Sequence, residues 1–274
     1  MRSSIFAVAL LAITTPAWAQ DATPDPNRDT LTIGIGGAVL PRYEGSGDYK
    51  LSPAAAIRGK VAGVSFITQG TAVFVDLVPS SRGPGTKFNL GPMAHVTLNR
   101  SSLKTTRDPQ IIALGRIPVA VEVGGHVGIT RTGLITSDYD SLNVDVSVSH
   151  DVTGVHDSLI VSPSMTYGTP LSRKAYVGAY VGADHVGSGY AQTYFGVTPA
   201  QSLASGLSTY APKAGFKTAN AGIFGNVSLT GDLLGGLSAF AIGNYSRLLG
   251  DFGRSPVVRD RNQWFGGLGL AYTF

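Results

Sequence analysis

The chain has no cysteine, so it carries no disulfide framework and no thiolate metal or nucleophile site, which suits an envelope protein that needs no covalent staple. Charge is scarce as well. Asp, Glu, Lys and Arg make up 14% of the residues, against about 25% in soluble domains. Past the first twenty residues, Gly, Ser, Asn, Asp or Pro interrupts every apolar stretch long before the ~20 residues that a spanning helix requires. A helical membrane protein is thereby excluded. The net charge of +4 is small and the basic residues are scattered, which argues against a nucleic-acid partner.

What the chain does have is aromatic and glycine content, with 11 Tyr, 11 Phe and 36 Gly, and a distinctive start. Arg2 precedes an apolar run from Ile5 to Ile13, and Ala17-Trp18-Ala19 supplies a small-x-small cleavage pattern. Residues 1–19 therefore read as a signal peptide cut after Ala19, with Ala17 and Ala19 as the recognised positions. Residues 20–30 read as a short flexible leader, and 31–274 as a single barrel domain.

The strongest signal is alternation with period two over segments of roughly ten residues, the mark of a wall with lipid on one face and a polar lumen on the other. From Leu142 to Val152, Leu142, Val144, Val146 and Val148 share one face; Asn143, Asp145, Ser147 and Ser149 share the other. Phe88 to Asn99 and Ser158 to Gly168 repeat the pattern. Breaks such as 80–85, 170–174 and 231–232 are too short for crossover helices and imply antiparallel hairpins. Strands are expected near 31–40, 51–59, 62–67, 71–78, 87–99, 117–130, 139–152, 158–168, 175–187, 216–229, 235–247 and 263–274. The fold class is thus all-β: a closed antiparallel transmembrane β-barrel of about 12 strands, with ten the alternative. Both termini and the short turns would face the periplasm, and the long connections at 100–116, 188–215 and 248–262 would face outward.

The period also sorts candidate residues. Glu122, His126, Asp145 and Asp184 fall on the inner face, where a charge must meet water or a partner; they are expected either to line a solute path or to form a hydrogen-bonded plug. Arg247 and Asp251 bracket a Leu-Leu-Gly segment with Ser255-Pro256 beyond. Tyr245, Arg247, Gly250, Asp251, Ser255 and Pro256 therefore suggest a structured outer loop held by an ion pair or backbone caps. Arg100, Lys104, Arg107 and Arg116 share another outer loop, placed to meet lipopolysaccharide phosphates. At the C-terminus Trp264, Leu268, Leu270, Tyr272 and Phe274 occupy one face. Leu270, Tyr272 and Phe274 resemble the terminal signal that the barrel-assembly machinery reads.

Catalytic constellations are weak. The five histidines, His95, His126, His150, His156 and His185, show no zinc-binding spacing. Asp184-His185 and His150-Asp151 are strand neighbours whose side chains point to opposite faces. Gly34-x-Gly36-Gly37 lacks the third glycine and the following helix of a dinucleotide site. No enzyme activity, cofactor or metal is expected.

Three stretches carry a family resemblance. They are Pro41-Arg42-Tyr43-Glu44-Gly45-Ser46 with Tyr49 and Pro53; Tyr194-Phe195-Gly196-Val197-Thr198 with Ala204-Ser205-Gly206-Leu207 and Tyr210; and Tyr245-Ser246-Arg247-Leu248-Leu249-Gly250-Asp251 with Ser255-Pro256-Val257-Val258. With these the chain resembles the MipA/OmpV family of MltA-interacting outer-membrane proteins. The resemblance implies an outer-membrane barrel, and the chain is expected to be a monomer in contact with outer-membrane lipid and lipopolysaccharide. The resemblance further implies a scaffold joining a murein lytic transglycosylase to a murein synthase in peptidoglycan remodelling. The alternative is a narrow porin-like channel for small solutes, or a surface adhesin.

Overall fold

The structure, a computed structural model, describes residues 28–79 and 84–274. The cleavage positions Ala17 and Ala19 and leader residues 20–27 lie outside these. Twelve antiparallel strands close into a barrel, each paired with its neighbours in sequence and the last with the first. They are β1 (Thr30–Pro41), β2 (Tyr49–Val61), β3 (Val64–Gln69), β4 (Ala72–Asp76), β5 (Gly85–Thr97) and β6 (Ala120–Thr132). The second half comprises β7 (Ser141–Asp151), β8 (Leu159–Pro170), β9 (Ala175–Val186), β10 (Gly215–Ser228), β11 (Gly236–Leu248) and β12 (Asn262–Thr273). Twelve strands replace the alternative of ten.

The alternation in sequence becomes two faces of one wall. In β7, Val144, Val146 and Val148 are exposed, while Ser147, Ser149 and Asp151 are buried. Ile35, Leu51, Phe88, Ile223 and Leu268 continue the exposed apolar belt on other strands. Burying such a side chain is worth about 1.5–3 kcal/mol, so a belt of them turned outward on a closed ladder is stable only in lipid.

Two strands differ from the rest. β3 and β4 have 6 and 5 residues, whereas the other ten have 11–14. Their hairpin fills only part of the wall's height.

The long connections, expected as loops, contain short helices that pack across one mouth of the barrel: α1 (Pro109–Ala113), α2 (Ser188–Phe195), α3 (Pro199–Ser205) and α4 (Gly250–Arg254). Local chemistry sets their ends. Asp108 accepts from the Gln110 and Ile111 amides to cap α1, and Thr198 forms a capping box with Gln201 at α3. Two apolar clusters hold the cap together. One joins Val186, Tyr194, Phe195, Leu248 and Phe252, with the Phe195 and Phe252 rings edge-on at 5.3 Å. The other joins Tyr43, Ile111, Leu114, Val197, Leu207 and Val257. From the three resembling stretches, Tyr43, Tyr194, Phe195, Val197, Leu207, Leu248 and Val257 thus sit in the cap's core.

Candidate functional site

Beneath the cap lies a charged interior, and a backbone irregularity builds its centre. Strict alternation along β10 would turn Lys217 outward, but the register against β9 shifts between Phe216 and Thr218. This bulge re-aims the side chain into the barrel. Lys217 Nζ lies 2.8 Å from Glu44 Oε1 and 3.7 Å from Asp184 Oδ2. It also donates to Tyr190 Oη at 3.3 Å and sits 5.0 Å from the centre of that ring. Tyr190 Oη in turn donates to Glu44 Oε2 at 3.2 Å. Asp184 accepts from Ser162 and Thr218 at 2.7 and 2.9 Å.

A second cluster centres on Glu122, which is fully buried. Its Oε1 accepts from Thr97 Oγ1 at 2.8 Å and lies 3.1 Å from His156 Nε2, while Oε2 is 3.3 Å from His95 Nδ1. His156 stands edge-on to Tyr190 at 5.0 Å, so α2 bridges both clusters. Lower in the barrel, His126 Nδ1 meets Asp145 Oδ2 at 3.0 Å and Nε2 meets the Val75 carbonyl at 3.1 Å. These groups are fixed by reciprocal hydrogen bonds. Among the described residues no three His, Asp or Glu side chains are arranged to hold a metal ion.

At the cap, burial governs the ionisable groups. Burial pushes the Tyr43 hydroxyl up to about 12, with the nearby Asp108 charge adding to it. Burial lowers the Arg100 guanidinium to about 10. Burial alone would raise Asp108, yet the Arg259 guanidinium, bonded at 2.6 Å, holds its carboxyl below the ordinary value. A cleft of about 260 Å³ lies beside this pair, lined in part by Arg42, Asp48, Arg107 and Arg259.

A family model described as MltA-interacting protein MipA matches residues 33–274. The chain belongs to that family. No protein with a curated description matches it. Among solved structures, it is similar to an outer membrane channel from Pseudomonas putida F1 at 12% identity, covering 94% of this chain and 100% of that one, with a TM-score of 0.44. The toluene transporter TodX of Pseudomonas putida is similar at 9% identity, over 91% of this chain and 89% of that one, TM-score 0.35. A loop-deletion mutant of OmpT from Vibrio cholerae is similar at 8% identity, over 90% and 99%, TM-score 0.30.

In this MipA-family barrel the four inner-face residues point inward. His126 and Asp145 touch each other, whereas Glu122 and Asp184 belong to separate clusters. Sequence reasoning missed Glu44 and Lys217: a bulge hides Lys217's orientation, and only the Pro-Arg-Tyr-Glu stretch marked Glu44. In the outer loop, the partner of Asp251 is Arg254 and not Arg247, because α4 brings them three residues apart on one face. Arg247 sits at the end of β11 opposite Asn262. Tyr245 donates to Asn262 Oδ1 at 2.7 Å, Gly250 opens α4 with φ +47, and Ser255 Oγ, next to Pro256, donates to the Phe195 carbonyl at 2.6 Å. Arg100 leaves the lipopolysaccharide group: it is buried and donates to the Thr193 and Tyr194 carbonyls, both at 3.1 Å. Leu270, Tyr272 and Phe274 face outward, the last two rings 4.8 Å apart.

Proposed function

We propose that this protein is a non-enzymatic outer-membrane adaptor that holds a murein lytic transglycosylase, together with a murein synthase, at the periplasmic face. The family's description as an MltA-interacting protein supports the reading. The observation that carries it is the apolar character of the turn end. Ile135 and Tyr139 in the β6–β7 turn, Leu171 in the β8–β9 turn and Leu234 in the β10–β11 turn are 69%, 79%, 65% and 56% exposed. Turns that met only water would be expected to be polar, and these four exposed apolar side chains lie on three hairpins that follow one another around the turn end, the kind of exposure that marks interaction sites. The opposite mouth carries the four short helices and their two apolar clusters. There the cleft of Arg42, Arg107 and Arg259 is the expected contact for lipopolysaccharide phosphate.

Affinity capture on the folded, tagged barrel from detergent-solubilised envelopes tests the adaptor, with an unrelated barrel as control. The wild type should retain a lytic transglycosylase, and the combined Ile135→Asp, Tyr139→Ser, Leu171→Asp variant should not. Recovery of nothing beyond the control overturns the adaptor and moves the assignment to a solute path.

A further inference from the structure

The short β3–β4 hairpin leaves a hole in the wall. β2 pairs with β1 along Tyr49 to Lys60, but on its other edge it pairs with β3 only from Arg58 to Val61. Pairing stops where Thr68 Oγ1 replaces a backbone partner, accepting from Ile57 N at 2.8 Å and donating to Ile57 O at 3.2 Å. Among the described residues no strand pairs with this second edge of β2 from Tyr49 to Ala56. Those eight residues span about 26 Å at ~3.3 Å each.

The gap has a complete frame. β2 forms one side. The hairpin tip at Gly70-Thr71 forms the base and is fastened to β5 where Val96 N donates to the Thr71 carbonyl at 3.2 Å. The top is bridged by Glu44, whose amide donates to Asn99 Oδ1 at 3.1 Å. The free edge is adapted to lack a partner: the residues in phase with Ile57 are Ala55, Pro53 and Leu51, and Pro53 has no amide to satisfy.

What stands behind the gap defines an occupant. Side chains in phase with Lys60 point inward; along the gap these are Lys50, Ser52 and the small Ala54 and Ala56, followed below it by the exposed Arg58. Ile67, directly opposite Arg58 and on the same face, is 40% exposed to the interior. An apolar side chain and a cation thus sit side by side just inside an opening in the lipid-facing wall. We infer that this opening is a lateral window through which a single-chain amphiphile with an anionic head enters the barrel from the membrane, its chain against Ile67 and its head on Arg58. The window does not depend on the adaptor role.

Two measurements on the full chain test it. A nitroxide on Ala54→Cys in liposomes is expected to collide with lipid-dissolved oxygen more often than one on Asn244→Cys, an inward position on β11 whose edges are both paired. Equal collision rates overturn the window. A dansyl-labelled undecanoic acid is expected to bind the folded barrel. Ala54→Phe, or Ala54→Leu if the first misfolds, should weaken binding of this acid and of its alcohol analogue alike. Arg58→Gln should cost the acid roughly tenfold, the scale of one charged hydrogen bond, and leave the alcohol unchanged. No binding by the wild type, or full binding by the Ala54 variant, overturns the amphiphile route.

Discussion

His156 Nε2 and Glu122 Oε1 lie 3.1 Å apart, and both side chains are fully sealed from solvent. The pair joins the loop after β7 to the wall strand β6, so the cap and the barrel share one buried charge. Removing the Glu122 carboxylate leaves the buried His156 ring and the Thr97 hydroxyl without their shared acceptor, at about 1–3 kcal/mol for each orphaned group. Glu122→Ala is therefore expected to lower the temperature at which the folded, fast-migrating band converts to the unfolded one on gels. Glu122→Gln should fall between it and the wild type, because the amide oxygen can still accept from Thr97. An Ala variant as stable as wild type would remove Glu122 from the joint.

Lys217 serves two carboxylates and one phenol at once. Lys217→Met keeps most of the volume and deletes the charge, leaving Glu44 and Asp184 with no shared cation. Tyr190, on α2, loses both its ring contact and its hydrogen-bond donor. Hydrogen exchange should rise first in α2 and in the loop 42–48, before the strands, since these are held through Lys217 rather than by ladder bonds. Unchanged protection in α2 would show that the apolar clusters alone fix the cap.

Much of the wall was legible because a strand that divides lipid from lumen must alternate. Val144, Val146 and Val148 against Asp145, Ser147 and Ser149 reveal both the strand and its faces. The cap was not, because its determinants are distant in sequence. Arg100 reads as a solvated loop charge until α2, some ninety positions on, places the Thr193 and Tyr194 carbonyls over it. Period two also misassigns Lys217, since one bulge inverts a side chain without changing composition. The window was half visible: the runs 62–67 and 71–78 mark a short hairpin, but the structure trims the second to five residues and extends β2 to thirteen, and only that difference in height opens the wall.

Asp108 both caps α1 and binds Arg259, which also donates to Gln110 Oε1 at 2.7 Å. Asp108→Ala removes the cap, worth ~1 kcal/mol, and leaves Arg259 without its ion partner. The effect should be local. Proteolysis is expected to begin within 103–116 while the barrel stays folded, and an intact loop under protease would show that Ile111 and Leu114 suffice to hold α1.

At the turn end Asp140 organises the β6–β7 connection by accepting from the amides of Leu134, Ile135 and Thr136 and from Tyr167 Oη. The Thr136 amide leads the interactions that hold its carboxyl well below the ordinary carboxylate value. A carboxyl depressed in the folded state adds stability that is fully present above the unfolded pKa of ~3.9 and disappears as pH falls through the folded value. Asp140→Asn should therefore melt earlier than the wild type at pH 7, with the difference constant down to about pH 5 and shrinking below ~3.9. Ile135 and Tyr139 ride on this turn, so the variant should also weaken capture of the transglycosylase at neutral pH. A melting difference that persists unchanged into strong acid would place the effect in the turn's geometry and not in the carboxylate's charge.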